Sequence, residues 1–294
     1  MRMISRLPPP QKWHRPPLPA GSSAADAFAA NVRAAVAQIH ANARGESIGR
    51  NHEYLHQLRV GIRRLRSTLR AFRELVRRRR ARRFDRALRT LLRAMGAVRD
   101  WDAFLHSRVS PALRQAGLRQ RASAEASLRA SVTPRKLALL TGRLLVWAQS
   151  EPWRAGARPG ESLGRFGARA LRRLFDATRD AAAKIDWADA KRRHRVRIRV
   201  KRLRYGCDCF AAGFPPETMD AFQQRLKKLQ ELLGELNDIA VQRRLLKELA
   251  GAKGTALSRL AARERPLLKA LEKAWQKFDA HPPHWRKEAA RARG

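Results

Sequence analysis

The sequence predicts an all-α protein made by tandem duplication of a four-helix-bundle module, and three observations carry that prediction. Apolar residues recur at helical spacing along nearly the whole chain. The two halves align with each other at one constant offset of 138 residues, from Arg59 to Arg197 for example (197 − 59). Aromatic residues, which strands favour, are only 6% of the chain, with two tyrosines. The 294 residues suffice for two units of about 150 residues each, and each would be large enough to bury its own core.

Taken in order, residues 1–21 carry Pro8, Pro9, Pro10, Pro16, Pro17 and Pro19 and read as a flexible or polyproline-like leader. Its Lys12, His14 and Arg15 read as a solvated tail. The first module, 22–150, reads as helices over roughly 22–44, 51–77, 81–106 and 109–149, the last broken near Pro134. In the second of these, Leu58, Ile62, Leu65, Leu69 and Phe72 form one apolar stripe; Phe84, Leu88, Leu91, Met95 and Val98 repeat it in the third. A linker at 151–160 follows, where Pro152, Gly156, Pro159 and Gly160 interrupt the pattern. The second module, 161–279, reads as helices over roughly 161–184, 188–212, 217–248 and 253–279, and 280–294 as a loose C-terminal tail. Short connections imply antiparallel neighbours, hence bundles.

The alignment of the halves rests on rare residues. At the offset of 138, Phe28 meets Phe166, His56 meets His194, Phe72 meets Phe210, Phe84 meets Phe222, Gly96 meets Gly234 and Asp100 meets Asp238. It also settles Arg195 to Val200, where Val196, Ile198 and Val200 alternate with arginines as in a strand: the matching segment is helical, so this one is too. A duplicated surface can be self-complementary, so the modules are expected to pack about a pseudo-twofold axis.

Charge is the second signal. Lysine and arginine number 65 against 25 acids, giving a net charge of +40 and an isoelectric point near 11.9. Self-repulsion on that scale costs stability, so a polyanionic partner is expected. The cations are patterned. His56, Arg59, Arg63, Arg66 and Arg70 are spaced three, four, three and four, one helix face about 21 Å long at 1.5 Å per residue. The equivalent helix presents His194, Arg197, Lys201 and Arg204, and the third helix adds Arg86, Arg89 and Arg93, with Lys227 matching Arg89. From Arg50 to Asp102 there are 17 lysines and arginines against five acids, too many for ion pairs alone to explain. Solvated faces whose stems cover the core would be the plain explanation, and they account in part for Arg77 to Arg80. The retention of basic residues at matched positions favours a binding role, and the guanidinium fork suits phosphate oxygens.

His194-x-x-Arg197-x-x-x-Lys201-x-x-Arg204-Tyr205, followed by Gly234-x-x-Asn237-Asp238, resembles the signature of the CHAD family, the conserved histidine α-helical domain. The first copy departs from it: Arg63 replaces lysine, Ser67 stands where tyrosine would be, and Arg99 where asparagine would be. The resemblance covers the chain from about residue 22 to 279. It implies a pair of four-helix bundles around a basic central cavity, and a family whose members bind inorganic polyphosphate, some of them at polyphosphate granules. Many members carry a fused triphosphatase domain; with no Glu-x-Glu pair in the sequence, this chain resembles the stand-alone form.

Other functions are disfavoured. No apolar stretch approaches the length of about 18 residues needed to span a membrane, and Pro8 to Pro10 stand where a signal peptide needs an apolar region. Two cysteines, Cys207 and Cys209, make no disulfide framework, so a reducing cytoplasm is expected. No cofactor is expected, and no metal: neither His56 nor His194 has a second ligand-type residue at ligand spacing on its face. An enzyme on polyphosphate would need metal-holding carboxylates beside the arginines, and the stripes hold almost none. Asp100 and Asp238 read as acceptors that orient arginines, and Gly96 and Gly234 as points of close helix approach. The alternative is a nucleic-acid-binding or nucleoid-associated protein, using the same electrostatics; aromatics for base stacking do not interleave with the stripes.

Overall fold

Local sequence sets where the helices begin. The computed structural model describes residues 8–43, 52–107, 109–250, 255–283 and 285. Ser23 caps α1 (Ala24–Asn42) with a reciprocal Asp26 capping box. Ser110 and Thr133 cap α5 (Pro111–Ser131) and α6 (Pro134–Gln149), each with proline at the first position; this is the break expected near Pro134. Ser162 caps α7 (Leu163–Ala182) and Asp189 caps α8 (Ala190–Phe210), placing Arg195 to Val200 in a helix. Between and after these lie α2 (His52–Ala71), α3 (Arg78–Ala94), α4 (Gly96–Leu105), α9 (Pro216–Ala250) and α10 (Thr255–Ala280), with a 3-10 turn at Ala211–Gly213. Among the described residues there is no strand, only two isolated bridges, Ser23 to Ser162 and Val76 to Trp153. No described helix is long and apolar enough to cross a membrane.

The elements recur at the sequence offset: α1 with α7, α2 with α8, and α3 plus α4 with α9. One difference corrects the reading of 81–106 as a single helix. The chain breaks at Met95, whereas α9 runs unbroken through the equivalent stretch. Arg59 supplies a reason: its Nη1 donates to Leu92 O at 3.0 Å, the carbonyl that the Gly96 N–H would take in a continuous helix.

Each half is not a separate core. Phe28 and Phe72 of the first half and Phe166 and Phe210 of the second form one ring cluster, with Phe72 and Phe210 centroids 4.8 Å apart and Phe72 stacked on Phe166 at 5.5 Å. These equivalent positions touch each other, so a single buried core runs through both halves. A smaller cluster of Trp101, Phe104, Ile239, Leu245, Leu246 and Leu260 joins α4 to α9 and α10. Tight packing of α1 on α2 depends on Gly61, where a Cβ would stand 2.9 Å from Ile39 Cγ1.

The leader and tail, expected to be loose, and the linker between the modules are packed. In the leader, Tyr54 Oη donates to Pro8 O, Asn42 exchanges two hydrogen bonds with the Gln11 backbone, and Trp13 stacks on Arg64 at 3.7 Å; residues 1–7 lie outside the described residues. The 151–160 linker is stitched down by Arg77 N to Pro152 O, Arg154 N to Leu75 O, and Trp153 against Phe28. In the tail, Trp285 is fully buried against Phe222 at 4.7 Å; His284 and 286–294 lie outside the described residues. The aromatic rings explain all three, since burying them outweighs the entropy of ordering a short proline-containing strap.

Candidate functional site

α2 and α8 lie side by side, and their shared scaffold fixes which way the basic stripes face. Leu58, Ile62 and Leu65 of α2, and Val196, Val200 and Leu203 of α8, are fully buried, so the residues one position on, at about 100° around each helix, stand at the edge of the core. Arg59, Arg63, Arg197 and Lys201 are thereby brought together from both helices, and each of the other three feels the charge of Arg63. Arg204 adjoins Lys201, and Arg99 and Asp100 of α4 and Asp238 of α9 complete the group.

Cations so crowded titrate abnormally. Burial first, and then Arg197 and Arg63, pull the Lys201 ammonium down to about 6, against the attraction of Asp238. Burial and Arg63 pull Arg59 down to about 9. Arg197 is lowered for the same two reasons. Buried Nε atoms of Arg197 and Arg204 have no hydrogen-bond acceptor among the described residues, a costly state that an incoming anion would relieve. Asp100 is held by Arg244 at 2.8 Å, yet burial still raises its pKa. His194, Arg197, Asn237, Asp100 and Arg244 line a common cavity of about 290 Å³ between the halves.

The two histidines differ. His194 is exposed, with Nδ1 2.9 Å from Asn237 Oδ1. His56 is half-buried, and its pKa is lowered by burial first, with smaller pushes from Arg99, Arg63 and Arg59 against the pull of Glu53. Like-charge repulsion is therefore secondary.

The structure separates the remaining stripe residues from this group. Arg66 and Arg70 both grip Asp85 of α3 at 2.9 Å. Arg89 lies near Arg70, while Arg86, Arg93 and Lys227 stand exposed on α3 and α9 without a side-chain hydrogen bond or ion pair among the described residues. Gly96 and Gly234 do not mark close approach, since among the described residues nothing lies within 4 Å of where a Cβ would stand at either. Cys207 and Cys209 are free and buried; burial raises Cys209 to about 12. Sequence reasoning missed Arg99 and Arg244 as members of the site. Arg99 was visible as the residue in place of asparagine in the first motif copy; Arg244 carries no such signal, because its partner Asp100 is 144 residues away.

Compared with known proteins, residues 30–247 match the family described as CHAD domain. The crystal structure of the CHAD domain from the plant Ricinus communis is similar at 26% identity and a TM-score of 0.68, covering 96% of both chains. PptA from Streptomyces chartreusis is similar at 17% identity and a TM-score of 0.67, over 87% of this chain and 100% of its own. No curated protein matches the sequence significantly.

Proposed function

The chain belongs to the CHAD family, and on that premise we propose that it binds inorganic polyphosphate without catalysing its hydrolysis, through the facing basic stripes of α2 and α8. The observation that carries the reading is the convergence of Arg59, Arg63, Arg197, Lys201 and Arg204, two of them with buried donors that have no acceptor. A linear polyanion supplies many phosphate oxygens at once, neutralises the mutual repulsion, and releases its condensed cations, as for DNA. The absence of a catalytic step is part of the proposal: the two carboxylates of the site are Asp100, already engaged by Arg244, and Asp238. Among the described residues no three His, Cys, Asp or Glu side chains gather as metal ligands. Polyphosphate granules in the cytoplasm are the setting this reading assigns.

The test is binding of labelled long-chain polyphosphate at physiological ionic strength, with unlabelled duplex DNA as competitor. Tight binding with a steep salt dependence, poorly competed by DNA, is expected. Changing Arg63, Arg197, Lys201 and Arg204 to glutamine should cost at least about a hundredfold in affinity, since each charged hydrogen bond is worth more than 1 kcal/mol. Unchanged binding by the folded variant would return the stripes to solvated faces, and displacement by DNA would favour the nucleic-acid reading. Phosphate release with Mg²⁺, lost on Asp100→Asn or Asp238→Asn, would make the protein an enzyme.

A further inference from the structure

A cavity of about 540 Å³ opens between α2, α3, α7 and α8. Arg73 just beyond α2, Arg78 and Arg82 of α3, and Arg199 and Arg202 of α8 line it. None of these five forms a side-chain hydrogen bond or an ion pair among the described residues, and the one acid in the cavity, Asp85, is already taken by Arg66 and Arg70. The buried Nε of Arg202 has no acceptor among the described residues. Burial, together with Arg70, Arg199 and Arg66, pulls this guanidinium down to about 10. Arg202 is half-buried, while Arg73, Arg78, Arg82 and Arg199 are exposed at the rim; the five arrive from three segments of chain and border one concavity.

Arg78, from the run Arg77 to Arg80, brings the start of α3 to the same place. Arg78 begins α3, a helix of 17 residues with no acid in its first turn and no side-chain cap from Arg77. Helices α1, α5, α6, α7 and α8 all have Ser, Thr or Asp caps. Cations at the positive end of a helix dipole are unfavourable, and uncapped N–H groups there want an acceptor. A multiply charged anion in the cavity resolves both. A single carboxylate would leave most of the charge uncompensated.

We propose that this cavity is a second phosphate site, beyond the central group of Arg59, Arg63, Arg197, Lys201 and Arg204, that takes a short run of phosphate groups, whether a free oligophosphate or the end of a long chain. Its residues lie outside those that carry the polyphosphate reading, which it extends without depending on it.

The test measures tripolyphosphate binding by calorimetry and by the rise in unfolding temperature. Four proteins are compared: the wild type; Arg78→Glu, Arg82→Glu, Arg199→Glu; the central Arg63→Gln, Lys201→Gln; and a charge-matched control, Arg114→Glu, Arg119→Glu, Arg135→Glu, at exposed positions of α5 and α6. The cavity variant should lose at least about tenfold in affinity and most of the thermal shift, while the control stays within about threefold of the wild type. No tripolyphosphate binding by the wild type, equal losses in cavity and control variants, or loss confined to the central variant would each overturn the proposal. Long-chain polyphosphate run in parallel separates the two readings: a wild type that binds tripolyphosphate at the cavity but not the long chain refutes the central site alone.

Discussion

Arg64 and Arg202 stand at equivalent turns of α2 and α8 (64 + 138 = 202), and they keep opposite company. Arg64 donates to Asp208 at 2.8 Å and is roofed by the Trp13 ring at 3.7 Å and the Tyr205 ring at 4.9 Å. At the position equivalent to Asp208, Arg202 finds Arg70, and it borders an open cavity instead of a packed strap. The histidines repeat the contrast: His194 has the Asn237 amide, whereas His56 has Arg99 in its place. What repeats is the scaffold, because apolar packing tolerates little change in volume. What diverges is the polar company of each cation. One mouth beside α2 and α8 is neutralised and covered; the other is left charged, a state that makes sense for a protein that holds an anion there.

The largest expected effect tests what the halves share. Phe72 and Phe210 are fully buried and touch each other. Phe72→Ala and Phe210→Ala should each cost about 4 kcal/mol in urea unfolding. Losses differing by more than about 2 kcal/mol would mean that one half holds the core and the other merely leans on it.

Next in size is the contrast itself. Arg64 and Asp208 are largely buried as a pair, so Asp208→Ala, which strands a buried guanidinium, should cost about 3 kcal/mol. Arg202→Ala removes a cation that already repels its neighbours, and should leave stability unchanged or raise it. Equal destabilisation by the two would break the comparison.

The sequence made the scaffold legible because burial has a period. Leu58, Ile62, Leu65 and Phe72 announce α2, and the offset carries the same reading to α8 through the ambiguous Val196 and Val200. The central cations were legible for the same reason, being one position beyond core residues. Charge pairing has no period. Nothing in the spacing told that Arg66 and Arg70 would be spent on Asp85, that Asp208 would meet Arg64, or that Arg59 would reach the Leu92 carbonyl and break the helix at Met95. Trp13 and Trp285 were hidden by their surroundings: prolines and polar residues read as loose chain, while the decisive term was one ring finding a slot in the finished fold.

The smallest effect sharpens the comparison at its centre, where Lys201 of α8 stands opposite Arg63, its equivalent in α2 (63 + 138 = 201). In the free protein the Lys201 ammonium is held to about 6 by burial, Arg197 and Arg63, so it is mostly neutral at pH 7. A bound polyanion favours the charged form and raises that value, so binding takes up a proton. Affinity should therefore climb as pH falls toward 6, by at most tenfold per unit, or about 1.4 kcal/mol, and flatten below it. Stability of the free protein should run the other way. The unfolded lysine holds its proton up to its ordinary value near 10.5 and the folded one does not, so stability rises with pH between about 6 and 10.5. Lys201→Arg makes the second half resemble the first with a group that stays charged, and should remove most of the slope in affinity. A slope that survives in Lys201→Arg and disappears in His56→Gln would assign the proton to the half-buried imidazole, whose pKa is also lowered by burial. Opposite slopes for affinity and stability, both lost in Lys201→Met, would show that one buried amine couples the fold to its ligand.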